Sequence, residues 1–108
     1  MKKLLFIMLL LTAVVACEKQ EVDKEYETIT LYSSGENLIL MHIYSFNNKI
    51  VIVSNFEVSE VIIVNLDTNK IVKGKNDFYE YEFYLDPANY QIWCWANSDY
   101  FEYNFTIE

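Results

Sequence analysis

From Thr28 to Ile107 the chain is a succession of short runs rich in Ile, Val, Tyr, Phe and Trp, each closed by residues that favour turns. The runs are Thr28–Tyr32, Leu38–Tyr44, Ile50–Ser54, Glu60–Asn65, Lys70–Lys73, Phe78–Leu85, Asn89–Ala96 and Tyr100–Ile107. Between them stand Ser33-Ser34-Gly35, Asn47-Asn48, Asp67-Thr68-Asn69, Asn76-Asp77, Asp86-Pro87-Ala88 and Asn97-Ser98-Asp99. β-branched and aromatic residues suit a half-buried pleated surface, and these separators supply turn geometry. Runs of this length and spacing predict an all-β domain, a sandwich or barrel, over residues 28–108. No stretch of that region shows helical periodicity with caps.

Alternation assigns the faces, because successive residues of a strand point to opposite sides. In Phe78–Leu85 it places Tyr79, Tyr81, Phe83 and Leu85 together, with Glu80 and Glu82 opposite. In Tyr100–Ile107 it turns Phe101, Tyr103, Phe105 and Ile107 inward and leaves Glu102, Asn104 and Thr106 in water. Leu38–Tyr44 and Ile50–Val53 are apolar on both faces, as in strands covered from two sides. Twelve of the 18 aromatic residues lie between Phe78 and Phe105. Each can bury about 150–250 Å², so the final third of the chain reads as core.

The start of the chain reads differently. Lys2 and Lys3 precede an apolar run, Leu4 to Val15, broken only by Thr12. It is shorter than the ~20 residues of a membrane span and has the form of a secretory signal helix, to be set apart from the fold. The run ends in Val14-Val15-Ala16-Cys17, which resembles the lipobox of bacterial lipoproteins. The resemblance implies cleavage between Ala16 and Cys17 and a lipid on the Cys17 thiol, with a further acyl group on the new amino terminus. More than one chain is what stable anchoring requires. An ordinary signal peptide cut after Ala16 fits the same residues, and its product would be periplasmic or secreted. The domain reading is therefore 1–16 signal peptide, 17–27 lipidated Cys17 with an acidic tether, and 28–108 β-domain. An acidic run after the lipidated cysteine is similar to signals that send gram-negative lipoproteins to the outer membrane, so the expected location is that cell envelope. A plain solvated linker explains the run equally well.

Without residues 1–16 the chain keeps 6 lysines against 16 carboxylates, a formal charge of −10, and it has no arginine. Such a surface disfavours nucleic acid and anionic headgroups, leaving the lipid anchor as the expected membrane contact. With Cys17 lipidated, Cys94 has no partner in the chain. Its setting in Ile92-Trp93-Cys94-Trp95 is that of a small buried hydrophobe.

Residues Ile50 to Ile107 resemble the small immunoglobulin-like domains of the family known as domain of unknown function thirty-two forty-four. The pattern is Val61-Ile62-Ile63-Val64-Asn65, a turn, Lys70-Ile71-Val72, an aromatic strand closing on Leu85, then Tyr90-Gln91-Ile92 and Tyr103-Asn104-Phe105-Thr106-Ile107. The resemblance implies an immunoglobulin-like sandwich of about seven strands and no known activity. Where the family favours glycine this chain has Asn69 and Asn89. Asparagine is the substitute that best tolerates positive φ.

Residues for chemistry are sparse. His42 is the only histidine, with no motif supplying a nucleophile or an orienting group, and it reads as structural. Neither a second histidine nor a CxxC is there for zinc. Asp67-Thr68-Asn69 has part of a calcium loop's composition, but a hairpin turn explains it better. No enzyme, cofactor or metal site is expected. The candidate binding face is Trp93 and Trp95, turned outward beside Glu102 and Asn104 if Tyr90, Ile92, Cys94 and Ala96 face in. Exposed tryptophans among polar groups suit a protein interface or the stacking of sugar rings. The competing reading has Glu27–Tyr32 covering them as a second small core. The expected function is a lipid-anchored, non-catalytic module for protein interaction or envelope architecture. The alternatives are a glycan-binding accessory and a small acidic inhibitor or immunity-type lipoprotein.

Overall fold

The structure, a computed structural model, describes residues 26–108. The expected signal peptide, cleavage point at Ala16 and Cys17, lipidation site and tether up to residue 25 lie outside the described residues. Six strands make up the described part: β1 (Tyr26–Ser34), β2 (Asn37–Tyr44), β3 (Lys49–Asn65), β4 (Lys70–Tyr84), β5 (Ala88–Ala96) and β6 (Asp99–Ile107). Tyr26 and Glu27, assigned to the tether by their polarity, already belong to β1.

All pairings are antiparallel and form one sheet in the order β1-β2-β3-β5-β6, with β4 on the other edge of β3. The sheet curls into a half-barrel. The all-β class is therefore observed, whereas the seven-stranded sandwich is not shown. Eight runs became six strands because two of the expected breaks are bends inside strands. Ile50–Ser54 and Glu60–Asn65 are the two ends of β3, and Lys70–Lys73 continues into the aromatic run as β4. Asn76-Asp77, read as a turn, sits within β4, where Asp77 alone takes a left-handed φ of 52°.

The bend in β3 explains the curl. Its first half pairs with β2 through Ser54, its second half with β5 from Val58, and β4 pairs with both halves on the far edge, with a register break between Val53 and Val58. Where β3 leaves β2, side chains replace the backbone ladder. Asn55 Oδ1 accepts from Leu38 N at 2.8 Å and Asn55 Nδ2 donates to Glu36 O at 2.7 Å. Ser54, the buried polar residue of the described core, donates its hydroxyl to Phe56 O and accepts from Phe56 N at 3.0 Å. A buried bend keeps its polar groups paired in this way.

Register shifts at the bend also reverse the alternation. Ile50 and Ile52 face in before it, Val61 and Ile63 after it. On β4, Val58 lies opposite Phe78 and Val53 opposite Glu80, so Phe78 takes the inward place and Tyr79 is left 58% exposed. The expected common face of Tyr79, Tyr81, Phe83 and Leu85 thus loses its first member. The β6 assignment holds, with Phe105 and Ile107 buried and Phe101 and Tyr103 packed on the core. On β2, Ile39, Met41 and Ile43 are buried, while Leu38, Leu40, His42 and Tyr44 are half-buried. The described residues form a single curled sheet, so the second layer expected over their outward face is not found among them.

Among the described residues five non-glycine positions have positive φ, four of them asparagine or aspartate: Asn48, Asn69, Asp77, Asn97 and Ser98. Asn69 (φ 63°) uses the tolerance expected of it. Asn89 does not. It lies in β5 opposite Thr106, where it accepts from Thr106 Oγ1 at 2.8 Å and donates its Nδ2 to Asp67 at 3.2 Å.

Candidate functional site

Strand β5 carries the candidate site because its alternation is clean. Tyr90, Ile92, Cys94 and Ala96 are buried, which turns Gln91, Trp93 and Trp95 to the outer face, each half-buried. Cross-strand register supplies their neighbours. Trp93 lies between Ile62 of β3 and Glu102 of β6, and Trp95 between Glu60 and Tyr100. Asn104 stands opposite Gln91, one pair further along, and not directly beside either tryptophan.

Hydrogen bonds fix this face. Trp93 Nε1 donates to Gln91 Oε1 at 2.7 Å, and Gln91 Nε2 donates to Asn104 Oδ1 at 2.9 Å. Gln91 therefore links the indole to Asn104, a member of the site that composition alone did not single out. Tyr100 donates to Glu102 Oε2 at 2.6 Å and its ring lies 4.8 Å from Trp95. That bond to a carboxylate, with some desolvation, pushes the Tyr100 phenol up to about 12. Tyr100 is 45% exposed. Ile62 faces Gly74 of β4, and a Cβ there would meet only Val61 O at 3.6 Å, so the face is open beside Ile62.

The segment expected to cover the tryptophans goes elsewhere. Glu27–Tyr32 runs in β1, hydrogen-bonded to β2, and Ile29, Leu31 and Tyr32 pack on the inner core. Tyr32 reaches across the mouth of the half-barrel, stacking on Phe101 at 5.2 Å and donating to Asp99 Oδ2 at 2.6 Å. The Asp99 bond raises the Tyr32 phenol above its ordinary range.

The other residues weighed for chemistry make the following contacts. His42 Nδ1 lies 3.1 Å from Thr28 Oγ1, and its ring meets Tyr26 edge-on at 5.8 Å. In the β3–β4 turn, Asn65 Oδ1 accepts from Asp67 N and Thr68 N, and Asp67 accepts from Asn89 N and Nδ2. The aspartate that suggested a calcium loop thus ties the turn to β5. Among the described residues no three His, Cys, Asp or Glu side chains converge as a metal site would need, and no helix is long and apolar enough to cross a membrane. Cys94 is fully buried, and burial pushes its thiol up to about 12.

The arrangement offers a rigid, half-apolar surface with two indoles, a phenol and fixed amides. No family model, no curated protein and no solved structure matches this chain.

Proposed function

We propose that this chain is a non-catalytic binding module of a gram-negative cell envelope, held to the membrane through a lipid on Cys17. Its partner is a protein, engaged through the outer face of Trp93, Trp95, Glu102 and Asn104. The observation that carries this reading is the bonded series Trp93–Gln91–Asn104. Tryptophan is among the residues that dominate interface energies, and an indole already pinned loses little freedom on binding. The resemblance to the immunoglobulin-like family belongs to the same proposal.

A glycan ligand is the second reading, favoured by the Gln91 and Asn104 amides beside Trp93. Sugar rings stack on indoles and bond to side-chain amides.

Envelope proteins captured by the wild-type chain, and separately a carbohydrate array, should be compared with Trp93→Ala and Trp95→Ala. Both variants are expected to stay folded, shifting Tm by only a few degrees, while losing the capture and the ligand-induced change in tryptophan fluorescence. Full binding by both variants would refute the face. For the anchor, a clickable fatty acid should label the wild type and not Cys17→Ser.

A further inference from the structure

Three strands leave one edge without a partner strand among the described residues: β1, β4 and β6. They differ in charge. Strand β4 holds Lys70, Lys73 and Lys75, three of the four lysines among the described residues. The fourth, Lys49, is paired with Glu82 at 3.3 Å. Strand β6 and the residue after it hold Asp99, Glu102 and Glu108, and β1 holds Glu27, with no lysine in either strand.

The basic edge is also the barest. Lys70 to Asp77 are exposed without interruption, with Ile71 62% and Val72 40% exposed. Register sets Lys73 opposite Ile63 and Lys75 opposite Val61, both inward residues, so these lysines take places that apolar residues hold on β3. Lys75 Nζ lies 5.8 Å from the Tyr81 ring, and no carboxylate among the described residues pairs with Lys70 or Lys73. Lysine on an edge strand guards against pairing with its own kind. That guard is one-sided: two β4 edges repel each other, but an acidic edge is drawn to one.

We propose that the occupant of the β4 edge is a second copy of this chain, which lays its β6 edge against Lys70–Lys75. Strand β6 fits better than β1 because it brings two carboxylates, Asp99 and Glu102, with Glu108 directly beyond it, where β1 brings Glu27 alone. Its half-buried Phe101 and Tyr103 also offer apolar surface to Ile71 and Val72. Backbone pairing extends the sheet from one copy to the next. The two surfaces differ, so the contact is head-to-tail, and the dimer keeps one free β4 edge and one free β6 edge for further copies.

The full chain in mild detergent, as a mixture of ¹⁵N-labelled and unlabelled copies, should be treated with a carbodiimide, which joins lysine to a carboxylate in contact. The expected result is a ladder of dimers and larger species. Its mixed-isotope cross-links should join Lys70, Lys73 or Lys75 to Asp99, Glu102 or Glu108. Raising salt from about 0.05 to about 0.5 M shortens the screening length several-fold, and the ladder should fall about ten-fold. Lys70→Glu/Lys73→Glu/Lys75→Glu removes the reacting amines, so its assembly is read by sedimentation without cross-linker, and it too should fall about ten-fold. Mixing that variant with Glu102→Lys/Glu108→Lys should restore a dimer, which also shows that both remain folded. Cross-links confined to one isotope, cross-links to Glu27 in place of β6, or sedimentation of the triple reversal as the same large species as the wild type would each overturn the proposal.

Discussion

Cys94 illustrates how a single side chain can be read from its neighbours. Flanked by two tryptophans in a strongly apolar strand, it was expected in the core, and it is fully buried there. Its thiolate is disfavoured, so iodoacetamide at about pH 8 should leave the Cys94 peptide unmodified in the native chain and alkylate it after denaturation. Cys94→Ser should cost about 1–3 kcal/mol in a denaturant titration, because it places a hydroxyl where no partner is provided. Ser98 is the opposite case. Asn97 and Ser98 form a two-residue hairpin loop with both φ values positive, at 55° and 68°. That geometry favours glycine at its second position. Ser98→Gly should therefore stabilise the fold by about 0.5–1 kcal/mol, the relief of left-handed strain outweighing glycine's extra entropy. A rise of several degrees in Tm would show it. The turn itself was legible from Asn97-Ser98-Asp99, but the strain at Ser98 was not, since serine is common in turns of every type.

At the level of strands, the apolar runs located all six elements, and the inward faces of β5 and β6 followed from strict alternation. What alternation could not reveal were the bends in β3 and β4. Asn55, Ser54 and Asn76-Asp77 carry the composition of turns, yet here they hold a continuous strand through a change of direction. The difference lies in partners far along the chain, such as Leu38 and Glu36 for Asn55, which local sequence does not encode. The same long-range logic governs the candidate site. Trp93 and Trp95 announced themselves by type, and Glu102 by its place in the next strand. Gln91, Ile62, Tyr100 and the space at Gly74 became visible only once register set β4, β3, β5 and β6 side by side.

The whole molecule carries a pH signature at its alkaline end. Burial raises the Cys94 thiol from 9.0 to about 12 and lifts the Tyr81 and Tyr90 phenols above 10.0, while the bond to Glu102 raises Tyr100. Each group holds its proton more firmly in the folded chain than in the unfolded one. Stability from this source is fully present below about pH 9 and declines as pH rises toward 12, because the unfolded state releases protons first. Urea midpoints measured at about pH 7, 9 and 11 should be level between the first two and fall at the third. The bent β3 has a consequence for how the molecule comes apart. Its two halves serve different neighbours, yet they are one continuous strand, and the single strand β4 pairs with both. Neither end of the curl can melt as a private event, so slow amide exchange in β2 and in β5 should report a single shared opening.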